Sequence, residues 1–165
     1  MSLYSSPAYG SIPAFTDGCD VTVISSNTGT EEAAAENLFD DNVYTEWKGD
    51  FNGTAEVVWE EKAPITVSAY CMANTSNVSA WPDQIPITWT LWGSGDNGAT
   101  WNMIDHRENE PALVSEFYRE HVFQIPGNAQ AYQTYKLTIE DINRITAGGD
   151  YEAGTFGLSQ FELYE

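Results

Sequence analysis

The stretch NLFDDNVYTEW, Asn37 to Trp47, sets Asp40, Asp41, Asn42 and Thr45 between Phe39 and Trp47. Oxygen-bearing side chains at this spacing admit three chemistries. They can form a polar turn, a carboxylate pair for acid–base work, or a cation-binding loop anchored by its flanking aromatics. The remaining chemistry-bearing residues do not favour the second. A glycosidase needs two carboxylates about 5 to 10 Å apart, but among 25 acidic residues some pair meets that distance by chance. His106 and His121 lack the His or Cys companions of a zinc site. Cys71 lies in strand-like text without a His partner, and neither a G-x-S-x-G elbow nor a glycine-rich phosphate loop occurs. The sequence points away from catalysis, and no catalytic residue is assigned.

Composition narrows the partners. The chain has 165 residues, 42% of them hydrophobic and 13% aromatic, enough for one domain with a real core. Its formal net charge of -19, with only 6 Lys and Arg, repels phosphate backbones and excludes nucleic acid. It equally opposes docking on anionic membrane lipid, because no polybasic patch is present. Neutral glycans and divalent cations remain compatible with so acidic a surface. No run of about 18 apolar residues marks a membrane span. The opening MSLYSSPAYG has neither the basic start nor the apolar core of an export signal.

The elements that must position these residues read as β-strands. Residues 1–17, with Pro7 and Pro13, read as a leader or linker, and 18–165 as a single domain. CDVTVIS, TAEVVWE, ITVSAYCMA, ITWTLWGS, HVFQI, YQTYKLTIE and LSQFELYE are short and β-rich, with turn residues between them. Alternation puts Val57 with Trp59, places Ile65, Val67, Ala69 and Cys71 on one face, and groups Ile87, Trp89 and Leu91. Asp96-Asn97-Gly98 predicts a hairpin, and only EEAAAENLF (31–39) favours helix. Trp47, Trp59, Trp89 and Trp101 are expected in the core. Cys19 and Cys71 allow one disulfide or two buried thiols. The expected fold class is all-β, an antiparallel jelly-roll β-sandwich.

Three of these segments, in order, resemble the discoidin or coagulation factor 5/8 C-terminal (F5/8 type C) domain, whose galactose-binding-domain-like family includes the family 32 carbohydrate-binding modules. NLFDDNVYTEW is similar to the family's A-x-D-G-x-x-x-T-x-W, PITWTLWGSGDNGATWNMID to its W-x-L-x-G-S-x-D-G-x-x-W stretch, and GLSQFELYE to its L-S-E-I-E-L-Y ending. The resemblance implies a structural calcium ion shared by the first and last segments. Its ligands would be Asn37 (carbonyl), Asp40, Asn42, Thr45, Ser159 (carbonyl) and Gln160. Two positions depart from the pattern: Gln160 stands where Glu is usual, and Asp41 where Gly is common.

The resemblance further implies a glycan-binding surface on the loops at one end of the sandwich. The loops in question are KGDFNG, NTSNVSAWPDQ, HRENEP and AGGDYEAGTF. Stacking aromatics and planar polar groups suited to sugar hydroxyls nominate Asn52, Asn74, Trp81, Asp83, Arg107 and Tyr151. Ala73 and Asn74 replace the Arg that galactose-binding members often carry. The expected function is a non-catalytic carbohydrate-binding module, extracellular, cell-surface or periplasmic, covalently linked to other domains such as a glycoside hydrolase. The alternative is a protein-interaction, adhesion or purely structural discoidin module without a sugar site.

Overall fold

A computed structural model describes residues 21–26, 33–74, 82–116, 118–143 and 154–165. Among the described residues, ten strands carry the fold: β1 (Val21–Ser26), β2 (Trp47–Phe51), β3 (Ala55–Ile65), β4 (Ala69–Ala73), β5 (Pro86–Ser94), β6 (Asn102–Arg107), β7 (Glu120–Gln124), β8 (Tyr132–Ile142), β9 (Gly154–Leu158) and β10 (Gln160–Tyr164). They form a five-stranded sheet in the order β1-β3-β8-β5-β6, a three-stranded sheet β10-β4-β7 and a two-stranded sheet β2-β9. Every pairing is antiparallel. The fold is therefore the expected all-β sandwich. The helical pieces are short: 3-10 turns at Ala35–Phe39 and Pro82–Gln84, and a helix, α1, at Ala112–Ser115.

The core forms where alternating apolar residues of the two larger sheets meet. Val57, Trp59, Trp89, Leu91, Tyr135, Leu137 and Ile139 from the larger sheet are fully buried. Tyr70, Met72, Phe123, Phe161 and Leu163 from the smaller one close over them. Trp59 stacks on Tyr135 at 5.8 Å and meets Phe161 edge-on at 5.2 Å.

Four expectations need correcting. ITVSAYCMA is not one strand: the chain leaves β3 at Ile65 and restarts at Ala69. The break shifts the alternation by one residue, so Ile65 and Val67 join the core cluster, followed by Tyr70 and Met72 rather than Ala69 and Cys71. Ile87 is only half-buried, because β5 carries register irregularities on either side of Thr88. Trp101 lies outside the core, half-buried, with Lys136 Nζ 4.5 Å from its ring centroid. Cys71 is a free, buried thiol, and Cys19 lies outside the described residues.

The Asp96-Asn97-Gly98 hairpin is present, with Asn97 and Gly98 both at positive φ. Asp96 organises it. Its carboxylate accepts from the Thr100 hydroxyl at 2.6 Å, the Thr100 amide at 2.8 Å and the Ser94 hydroxyl at 2.7 Å. These donors hold its carboxyl down at about 2.

Candidate functional site

The 3-10 turn ends at Phe39, and β2 begins at Trp47. Both aromatics are buried, Phe39 against Trp59 at 5.2 Å and Trp47 edge-on to Phe156 at 4.6 Å. The loop 40–46 is therefore pinned at both ends. Inside it, Asp40 Oδ1 accepts from the Asn42 amide at 3.0 Å, and Asn42 Oδ1 from the Tyr44 amide at 3.1 Å. Asn37 Nδ2 braces the loop by donating to the Glu46 carbonyl at 2.8 Å. Asp41 has φ 56, the left-handed conformation a Gly would adopt, so the turn is kept with an Asp in it.

The side chains turned into this loop offer oxygen atoms only, the donor type a hard cation takes. Thr45 Oγ1 lies 2.6 Å from Asp40 Oδ2 and 2.8 Å from the Asn42 carbonyl oxygen. The one hydroxyl thus stands within hydrogen-bond distance of a carboxylate oxygen and a carbonyl oxygen. Carboxylate, hydroxyl and carbonyl oxygens are also the donor types that calcium selects. Asn42 Oδ1 is engaged within the turn, which leaves its main-chain carbonyl as the oxygen nearest the group. From the far end of the chain, β10 packs against the 3-10 turn that leads into Asp40. Ser159 and Gln160 are both buried there. Ser159 donates from its amide to the Ala73 carbonyl at 3.0 Å, and its hydroxyl donates to the Asn74 carbonyl. No group of three or more His, Cys, Asp or Glu converges among the described residues. The charge available to a cation here is correspondingly small.

The nominated glycan residues sort themselves by location. Asn52 and Asp83 are exposed, in the β2–β3 turn and in the 3-10 turn before β5. Phe51 pairs with Gly154 at the start of β9, and the Pro82–Gln84 turn packs on β9, so both turns reach the same end of the sandwich. The end of β8 joins them, since Ile142 pairs with Pro86. The loop after β6 arrives there too, through Asn109 N to Thr88 Oγ1 at 3.2 Å and Glu110 N to the Ile87 carbonyl at 2.8 Å. Trp81 and Tyr151 lie outside the described residues.

Asn74 and Arg107 are engaged in bonds within the protein. Asn74 is completely buried, and its Nδ2 donates to the Leu113 and Glu116 carbonyls, tying β4 to the loop before β7. Its Oδ1 has no partner among the described residues. Arg107 belongs to β6 rather than to a loop. Its Nε donates to Asp105 Oδ2 at 2.8 Å and its Nη2 to the Gln124 carbonyl at 2.8 Å, with the guanidinium 5.3 Å from the Phe123 ring centroid. Asp105 Oδ2 also accepts from Tyr70 Oη at 2.7 Å, which in turn accepts from Trp89 Nε1 at 2.8 Å. This chain of bonds closes the gap between the edge strands β6 and β7. Burial, then the Asp105 charge, keep the Tyr70 phenol well above its usual range. Of KGDFNG, Lys48 to Phe51 are likewise strand β2, which leaves Asn52 and Gly53 as the turn.

Two further clusters join residues far apart in sequence. Thr90 Oγ1 lies 2.8 Å from His106 Nδ1 and donates to Glu140 Oε1 at 2.9 Å, linking β6, β5 and β8. Tyr44 and Tyr118 place their rings 4.8 Å apart. A residue-by-residue search for exposed aromatics in polar loops could have found the second pair.

No known protein-family model matches the sequence, and no curated protein matches it. Solved structures do. A family 32 carbohydrate-binding module from Streptococcus pneumoniae EndoD superposes with a TM-score of 0.68 at 14% identity, over 93% of this chain and 99% of that one. The family 32 module of Clostridium perfringens NanJ, solved with galactose, gives 0.66 at 13% identity, over 92% and 98%. The Clostridium perfringens module CpGH89CBM32-5, solved with GalNAc-β-1,3-galactose, gives 0.65 at 16% identity, over 93% and 100%. The chain has the discoidin-like β-sandwich fold of these modules along nearly its whole length.

Proposed function

We propose, from this shared fold, that the chain is a non-catalytic carbohydrate-binding module. In this reading it carries a structural calcium ion and serves as an accessory domain of a larger secreted or surface protein such as a glycoside hydrolase. The observation that supports it best is that the β2–β3 turn, the 3-10 turn before β5, the loop after β6 and the end of β8 meet at one end of the sandwich. Two of them present the exposed polar side chains of Asn52 and Asp83. The neighbours solved with galactose and GalNAc-β-1,3-galactose make neutral hexoses and N-acetylhexosamines the first ligands to try.

The chemistry asked of such a surface is modest. Amide and carboxylate groups bridge neighbouring sugar hydroxyls, and an aromatic face covers the ring's C–H groups. Preorganisation comes from beneath: Asn74 ties the loop before β7 to β4, and the Asn109 and Glu110 amides tie its start to β5. A bound calcium ion would supply positive charge to Asp40, Thr45 and the carbonyls of Asn37, Asn42 and Ser159, with Gln160 as the amide ligand. It would stabilise the junction of the chain's first and last segments rather than touch the sugar.

A glycan array followed by calorimetry with galactosides, N-acetylhexosamines and plant polysaccharides tests the reading. Binding of a neutral glycan that Asp83→Ala or Trp81→Ala weakens is the expected result. Silence across all three classes would sink it, and would favour the interaction or structural alternative.

A further inference from the structure

Two Asn-Gly dipeptides occur in the chain, Asn52-Gly53 between β2 and β3 and Asn97-Gly98 between β5 and β6, and both asparagines are exposed. Asparagine before glycine is a reactive setting for loss of the side-chain amide, because glycine puts no side chain in the way of its own backbone nitrogen. That nitrogen attacks Cγ of the asparagine, the bond from Cγ to Nδ2 breaks, and ammonia leaves with the proton of the attacking amide. The succinimide ring so formed takes up one water at either carbonyl and opens to Asp or to isoAsp. Water is the only co-reactant. At the level of sequence the two sites are equivalent.

The fold makes them different. Attack requires the glycine amide to leave its hydrogen bond and turn toward Cγ. Gly98 N donates to Ser94 Oγ at 2.8 Å, and Ser94 is buried, its own hydroxyl donating to Asp96 Oδ1 at 2.7 Å. Asn97 is held at φ 57, between an Asp96 bonded by Thr100 and an Ala99 amide that donates to the Asp96 carbonyl at 3.3 Å. Reaction there means opening a bonded hairpin, and local opening has a free-energy cost. The β2–β3 turn has anchors but no such lock. Phe51 and Ala55 are buried and paired with Gly154 and Ile139, whereas Asn52, Gly53 and Thr54 between them are exposed. Among the described residues, no backbone acceptor holds the Gly53 amide. Gly53 sits at φ 105, which glycine adopts freely, with open space where a Cβ would stand.

We propose that Asn52 is a site of spontaneous deamidation in the folded protein, and that the bonded hairpin protects Asn97. Conversion adds a negative charge to a chain already at -19 and places a carboxylate in the β2–β3 turn. The isoAsp product also routes the main chain through the former side chain, which inserts a methylene between Phe51 and Ala55. The chemistry needs only the turn and water, so it does not rest on the carbohydrate reading. It meets that reading at one point, because the amide donors that Asn52 offers a sugar hydroxyl are lost on conversion.

The test is peptide mapping by mass spectrometry after the folded chain has stood at mildly alkaline pH in heavy-oxygen water, which labels each acid as it forms. The same chain in guanidinium chloride is the reference. In the folded chain Asn52 converts about tenfold or more faster than Asn97, the factor that a lost hydrogen bond sets. Its product is a mixture of Asp and isoAsp. In denaturant the two rates come together, because only the shared Asn-Gly chemistry remains. Ser94→Ala removes the acceptor of the Gly98 amide and raises the Asn97 rate about two- to tenfold, with Asn52 unchanged. Equal rates at the two sites of the folded chain overturn the inference, as does faster conversion at Asn97. A folded chain in which neither site converts, while the denatured chain converts both, overturns it too. So does an Asn97 rate that Ser94→Ala leaves where it was.

Discussion

Asn74 shows how one buried amide can tie a strand to the segment before its neighbour. Its Nδ2 serves two carbonyls of the loop before β7, at Leu113 and Glu116, from a position with no solvent exposure. Asn74→Ala strands those carbonyls and is expected to lower stability by about 1–3 kcal/mol in denaturant titration. Asp96 makes a case that depends on pH. Its folded carboxyl sits at about 2 against an ordinary 3.8, so its contribution is present above 3.8 and is lost as pH falls through about 2. The melting difference between the chain and Asp96→Asn should be full near neutrality and vanish toward pH 2. A constant difference would mean that the hairpin does not rest on this carboxylate.

Strand edges and breaks decide what the elements can do. The run from Trp89 Nε1 through Tyr70 and Asp105 to Arg107 and the Gln124 carbonyl stitches β6 to β7. Arg107→Ala is expected to cost about 1.5–3 kcal/mol of stability, the range for hydrogen bonds to charged groups. It should leave glycan affinity per folded molecule unchanged, and a large loss of affinity with full stability would restore Arg107 to the ligand. Gly93 in β5 is a second constraint, since a Cβ there would overlap the Tyr132 ring. Gly93→Ala should destabilise by about 1–3 kcal/mol through overpacking, read as a lowered melting temperature.

The last strand, β10, packs on the 3-10 turn that leads into the loop 40–46. If calcium occupies the loop 40–46 with Ser159 and Gln160, a free concentration of about 100 times Kd adds about 2.7 kcal/mol, and chelator removes it. Melting in calcium and then in chelator should differ by about 2–8 °C for a domain of this size. Gln160→Glu adds the carboxylate the loop lacks and should widen that gap. Equal melting temperatures in both conditions, for the chain and the variant alike, would leave the loop a polar turn. The fold was largely legible beforehand, because alternation in β3, β5 and β8 registers directly which face meets the core. The candidate loops were legible as text, but not the tasks of Asn74 and Arg107, whose partners lie on other strands.

Pattern and turn chemistry alone determined that this chain folds as an antiparallel sandwich, that Phe39 and Trp47 anchor an oxygen-rich loop, and that Asp96-Asn97-Gly98 turns a hairpin. These are local matters of side-chain period and backbone preference. Only the tertiary structure decided that Tyr70 and Met72, rather than Ala69 and Cys71, enter the core. The same holds for Arg107, which closes an edge, and for Tyr44 and Tyr118, which share a surface. A strand break flips a face, and contacts between distant residues depend on packing that no window of neighbouring residues contains.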